Sequence, residues 1–116
     1  GGFVGVHQFT RIGTLSMIGA LSKVTQDVAP YSIYDGHPAT FRGVNAVGLK
    51  RAGYSLAQRS RIKKVLTLLL GERSNLSGAA AKAEKQFKGD LDIEALLQFI
   101  RSSKRGMGRA AVDHAD

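Results

Sequence analysis

Hydrophobic positions recur every six residues between positions 6 and 29. The stretch divides into VHQFTR, IGTLSM, IGALSK and VTQDVA, each opening on an aliphatic residue: Val6, Ile12, Ile18 and Val24. The fifth place is small or β-branched (Thr10, Ser16, Ser22, Val28), and the second is glycine in two blocks, Gly13 and Gly19. A period of six accommodates strand alternation but not a 3.6-residue turn, so a helix would scatter these residues around its surface. The pattern predicts a parallel β-helix in which each block supplies one short strand and a corner. The aliphatic residue points inward, and small residues fit where the coil is tight. An antiparallel meander would require four blocks to share their register by accident.

The repeat fades after position 29. Pro30 and Pro38 restrict the residues before them to extended or turn conformations, and Asp35-Gly36 is a turn dipeptide. The reading therefore places the end of the β-helix within residues 1–36, with the solenoid stopping near Tyr34. A linker through about Arg42 follows, and residues 37–116 form the linker and an α-helical domain.

Within that domain, residues 44–52 predict a short helix ended by Gly53. Ser55 and Gln58 form a capping box that opens a longer one. Ile62, Val65, Leu66 and Leu69 then make one apolar stripe, and Gly71 ends it. Ala79–Phe87 is a weaker, alanine-rich segment. Asp90 is the expected N-cap of a last helix with Ile93, Leu96, Leu97 and Ile100 as its buried face. Arg101, Lys104 and Arg105 lie in or beyond its last turn, where cations complement the helix dipole. From Gly106 onward the tail is Gly- and Ala-rich and is expected to fray. The helices are expected to cover the open edge of the last coil.

Composition narrows the chemistry. The chain has 116 residues, 43% of them hydrophobic, which is enough for a modest core and unlike a disordered segment. It has no cysteine, so disulfides, thiolate metal sites and thiol nucleophiles are excluded. No apolar run approaches a membrane span and no secretory signal is present, which fits a cytoplasmic protein. The first residue is Gly1 and the repeat is in register by Val6, so the chain is expected to be the tail of a longer β-helix.

The formal net charge is +8. No acidic residue lies between Asp35 and Glu72, where Arg42, Lys50, Arg51, Arg59, Arg61, Lys63 and Lys64 all fall. That run favours a polyanionic partner: nucleic acid, a nucleotide phosphate or an acidic protein. A nucleic-acid module lacks support from aromatic platforms or a docking motif, and a purely structural trimerisation module is the remaining alternative. His37 and His114 have no neighbours at metal-ligand spacing, so no metal site is assigned. On spacing alone His7 is a polar residue at a corner where glycine is commoner.

VHQF, the two hexapeptides after it, TQDVAPYSIYDGHPA and GVNAVGLKRAGYS together resemble the C-terminal part of the acyl-carrier-protein–UDP-N-acetylglucosamine O-acyltransferase family of lipid A biosynthesis. The likeness is close over residues 1–55 and looser to about Arg105. It implies a left-handed parallel β-helix, of which only the last coils are present, followed by an α-helical C-terminal domain, in a homotrimer with active sites between subunits. The implied reaction moves an (R)-3-hydroxyacyl chain from the phosphopantetheine thioester of acyl carrier protein to the 3-position of UDP-N-acetylglucosamine or its 3-amino variant. No metal or redox cofactor is implied.

The family's general base is an upstream histidine that no residue here matches, so no catalytic residue is assigned and the isolated chain is expected to be close to inert. His7 and Gln8 match positions lining the sugar-nucleotide site, and Asn45 and Arg51 match positions contacting the nucleotide. Val47 stands where some members carry an acidic residue, and Ala52 where a second arginine often follows. Gly2, Met17 and Ala20 match the acyl-chain groove, where glycine is frequent in place of Ala20. Its extra methyl group is expected to favour a shorter acyl chain. From charge alone, the basic helix at 59–64 is expected to face the acidic carrier protein.

Overall fold

Left-handed backbone at every sixth residue builds the coil. In the computed structural model, which describes residues 4–72 and 74–111, Phe9, Leu15 and Leu21 have φ of 69°, 54° and 63°. Each marks a corner, at a cost of about 1–2 kcal/mol for a residue with a Cβ. Hydrogen bonds offset it. Thr10 and Ser16 close the first two corners by donating N–H and hydroxyl to the carbonyls of His7 and Gly13, respectively. The fifth place of the repeat is thus chosen for its hydroxyl as well as its size. The second place needs glycine where coils approach: a Cβ on Gly13 would lie 2.3 Å from the backbone nitrogen of Pro30.

The rungs are parallel. Strand β1 (Gly5–Val6) pairs with β3 (Lys23–Val24), eighteen residues on, so three blocks complete one turn. Between them in sequence lies β2 (Met17–Ile18). Val24 and Val28 are buried at 1% and 0% exposure, whereas their rung partners Val6 and Ile12 are 51% and 42% exposed.

The fourth block departs from the repeat. Ile12 bridges Val28, and β2 pairs with β4 (Ser32–Gly36) as Met17 with Ile33 and Ile18 with Tyr34. Those partners are only sixteen residues apart. Val28, expected at a fifth position, therefore stacks beneath a first-position residue, and the turn is two residues short. The corner that would fall at Asp27 is replaced by a parallel bridge from Asp27 to Met107.

The expected linker is a strand. β5 (Ala39–Val44) returns antiparallel along β4 and occupies its free edge. Four helices follow: α1 (Ala46–Arg51), α2 (Leu56–Leu70), α3 (Leu76–Gln86) and α4 (Leu91–Arg101). Asn45, Ser55, Asn75 and Asp90 cap them, and Ser55 and Gln58 form the expected reciprocal box. Asn75 starts α3 three residues earlier than its alanine-rich run suggested.

One core joins coil and helices, with Val28, Tyr34 and Phe41 continuous with Leu49, Leu66, Leu69, Ile93 and Leu96. The tail does not fray over its described part. Asp27 N–H donates to Gly106 O and Gly108 N–H to Asp27 O, both at 2.9 Å, while Met107 is buried. Tyr34 Oη donates to Gly108 O at 2.5 Å, and a Cβ on Gly108 would lie 2.7 Å from the Tyr34 ring. Glycine at position 108 admits the tail to the ring rather than loosening it.

Candidate functional site

His7 opens the first corner. Its N–H donates to Val24 O at 2.8 Å, and the ring stands exposed beside Gln8. Nδ1 lies 3.0 Å from Gln8 O, and Nε2 lies 3.5 Å from Arg105 Nη2. A carbonyl only accepts and a guanidinium only donates. One neutral tautomer, protonated at Nδ1, satisfies both contacts. Arg105 also donates from Nε to Thr25 O at 3.4 Å. Sequence reading gave Arg105 to the helix dipole; the docked tail instead brings it to this corner.

Asn45 and Arg51 lie elsewhere. Asn45 is 9% exposed, and its amide works inside the fold. Oδ1 accepts from Gly48 N–H at 3.1 Å and Nδ2 donates to Leu15 O at 3.0 Å, so one side chain caps α1 and ties it to the second corner. Its backbone N–H donates to Tyr31 O. Glycine at position 48 makes room for this amide, since a Cβ there would sit 2.4 Å from Asn45 Nδ2 and push the side chain out of its cap. The two side-chain bonds use one amide N–H and one oxygen lone pair of Asn45. Arg51, in the last turn of α1, is exposed with no ion pair among the described residues. Val47 and Ala52 beside it are exposed as well.

Met17 is 57% exposed on β2, just past the second corner, and Ala20 is exposed at the start of the third. Gly2 and His114 lie outside the described residues. His37 sits in the β4–β5 turn, and no cluster of three metal-ligating side chains occurs among the described residues.

The basic helix divides in two. Arg59 Nη1 donates to Tyr54 O at 2.6 Å, and Arg61 pairs at 2.8 Å with Asp90, whose other oxygen caps α4. Lys63 and Lys64 remain exposed. Of the four residues expected to face a carrier protein, two thus have work within the fold. Burial raises the phenol pKa of both Tyr31 and Tyr34, keeping Tyr34 a hydrogen-bond donor to Gly108.

The candidate residues therefore form two groups on one chain. His7 and Gln8 sit at the first corner with Arg105, while Asn45 and Arg51 are anchored to the second corner through Leu15. No hydrogen bond or ion pair links the groups among the described residues.

Residues 27–108 match the family model described as UDP-N-acetylglucosamine O-acyltransferase, domain 2. The chain is 37% identical over 108 residues to the acyl-[acyl-carrier-protein]–UDP-N-acetylglucosamine O-acyltransferase of Myxococcus xanthus, covering 93% of this chain and 42% of the relative. It is 40% identical over 115 residues to the protein of the same name from Leptothrix cholodnii, covering 94% and 44%. Among solved structures, the UDP-N-acetylglucosamine acyltransferase of Francisella novicida superimposes with a TM-score of 0.86 at 32% identity, over 96% of this chain and 42% of that one. The Bacteroides fragilis acyltransferase gives 0.86 at 33% identity, over 91% and 42%. The chain spans less than half the length of these relatives.

Proposed function

Since this chain belongs to the UDP-N-acetylglucosamine O-acyltransferase family, we propose that it forms the C-terminal part of an enzyme that acylates the 3-position of UDP-N-acetylglucosamine. The acyl donor is an (R)-3-hydroxyacyl thioester on acyl carrier protein, and the setting is the cytoplasmic first step of lipid A synthesis. The substrate oxygen attacks the thioester carbonyl, its proton passes to a base, and the pantetheine thiolate leaves. The thioester carries its own activation, so proton transfer is the chemistry the protein must supply, with no metal or redox cofactor. His7 and Gln8 line the sugar side, Asn45 and Arg51 receive the nucleotide, and Met17 and Ala20 wall the acyl chain.

The observation that carries this reading is the division of the matched residues between two corners of one coil. In this reading one ligand touches both groups by lying between the first corner of one copy and the second corner of another. A left-handed coil in a threefold assembly allows this, since a cyclic interface is built from two different patches. Exposed apolar side chains at the corners, Phe9 at 79% and Leu21 at 65%, suit such a contact. A nucleic-acid interface is less well supported, because Arg59 and Arg61 are engaged within the fold.

Grafting this chain in place of the matching part of the Leptothrix cholodnii enzyme tests the reading. The chimera is expected to transfer a 3-hydroxyacyl group from acyl carrier protein to UDP-N-acetylglucosamine. A folded, trimeric chimera without transfer would overturn it.

A further inference from the structure

The first corner holds more positive charge than His7 and Gln8 require. Where it meets the segment after α4, a cleft of about 510 Å³ is lined by Phe9, Arg11, Asp27, Ser102, Lys104 and Arg105. Arg11 is fixed on one wall: Nη1 donates to Ser102 Oγ at 2.8 Å, and the guanidinium lies 4.2 Å over the Phe99 ring. Arg105 is fixed at the other end between Thr25 O and His7 Nε2. Lys104 is exposed beside it.

Among the described residues none of these three cations makes an ion pair within 4.0 Å with a described carboxylate; the pairs Arg61–Asp90 and Arg101–Glu84 lie elsewhere. The carboxylate at the cleft, Asp27, is 1% exposed and occupied. Oδ1 accepts the backbone N–H of Arg11 at 2.8 Å, and Oδ2 accepts the Ser103 hydroxyl at 2.6 Å. Asp27 thus fastens backbone and tail and makes no direct ion pair with either guanidinium among the described residues, leaving two arginines and one lysine against a single carboxylate at the cleft.

Two oriented guanidinium groups and an ammonium over an open cleft suit a ligand group with several anionic oxygens. We infer that this cleft is a phosphate-ester site and that Arg105, delivered by the docked tail, is its principal contact. Asp27 and Ser103 are positioning residues, holding the tail two residues before Arg105. The inference rests on the proposed acyl transfer only for the source of the phosphate ester. That source is either the diphosphate of the nucleotide sugar or the phosphodiester of the phosphopantetheine arm.

The full chain, labelled with nitrogen-15, is titrated with inorganic pyrophosphate, UDP-N-acetylglucosamine and phosphopantetheine while the arginine Nε–H resonances are followed. The Arg105 and Arg11 signals are expected to saturate together with pyrophosphate. Arg105→Gln should weaken that binding about tenfold, the scale of one lost charge-assisted hydrogen bond. Arg105→Lys should recover part of it, which a merely structural role would not do, and Ser103→Ala should give an intermediate loss. Lys82→Gln, equal in charge change but on α3, should have no effect. Tighter saturation by UDP-N-acetylglucosamine than by phosphopantetheine assigns the site to the nucleotide; the reverse order assigns it to the carrier arm.

If no probe moves Arg105, or the Arg105→Gln protein, folded by its amide spectrum, binds all three as tightly as the parent, the inference fails. UDP-N-acetylglucosamine binding that moves Arg51, with neither pyrophosphate nor phosphopantetheine moving Arg105, would overturn this inference alone. Pyrophosphate at Arg105 without any nucleotide-sugar binding would support the site and count against the acyl-transfer reading.

Discussion

The side-chain amide of Asn45 donates to the carbonyl of Leu15 at 3.0 Å, locking the first helix to the second corner of the coil. The same amide caps that helix through Gly48, so the residue matched to nucleotide binding also sets where Arg51 is presented.

Asn45→Ala removes the cap and leaves the Leu15 carbonyl without its donor. The expected loss is about 2 kcal/mol, combining a cap and a partly buried acceptor left without its donor. Urea denaturation measures it; a midpoint equal to the parent's would mean the two bonds are dispensable. Asn45→Asp keeps the acceptor for Gly48 but turns a carboxylate toward the Leu15 carbonyl, and is expected to recover little stability at neutral pH.

Tyr34 gives a dependence on pH. Burial raises its phenol pKa above the ordinary 10.0, so the folded chain holds the proton more tightly than the unfolded chain does. The resulting stability is full below pH 10 and is lost as the pH rises through the folded-state value. Tyr31 acts with the same sign, mainly through burial and then through the neighbouring Tyr54. Tyr34→Phe is expected to cost about 1–2 kcal/mol at pH 7, through the lost bond to Gly108, and to flatten the alkaline limb. Denaturation of both proteins at pH 7, 9 and 11 checks the sign; an unchanged alkaline slope in the variant would contradict it.

How much of this was legible in the sequence depends on whether the cause was local. The corner period shows because each block opens on its own aliphatic residue and the first two carry their own hydroxyl caps, Thr10 and Ser16. Helices α2 and α4 show because Ser55, Gln58 and Asp90 sit beside the runs they cap. Strand β5 was missed because ATFRGV has no clean alternation, and its partner is the free edge of β4. The docking of Gly108 depends on a ring seventy-four positions earlier, so a glycine-rich tail read as frayed. The meeting of Arg105 with His7 was hidden for the same reason.

The carrier-protein contact is expected to fall on Lys63 and Lys64. In the active chimera, replacing both with alanine should raise KM for the acyl carrier substrate several-fold with kcat little changed, as for charges that steer encounter. Arg59→Ala with Arg61→Ala should chiefly lower stability, by about 1 kcal/mol for a partly exposed ion pair and a carbonyl bond. A KM raised equally by both pairs would return Arg59 and Arg61 to the contact surface.

Ala20 is exposed at the start of the third corner, at a position the family resemblance assigns to the acyl-chain groove. If Ala20 walls the acyl groove, Ala20→Gly should shift the preferred donor toward longer 3-hydroxyacyl chains. A competition between two donor lengths reads the shift directly, and an unchanged product ratio would remove Ala20 from the groove.

Complementation between two inactive variants tests the division of the site most directly. In the chimera, His7→Ala disables the first corner and Arg51→Gln the second. If each site joins corners from two copies, random mixed trimers should regain about a quarter of the parental sites, since half the copies supply each intact corner. Recovered activity near that fraction, on refolding the variants together and not separately, is the expected result. Mixed trimers, verified by mass, that stay as inactive as either variant would show that the two corners do not meet across copies.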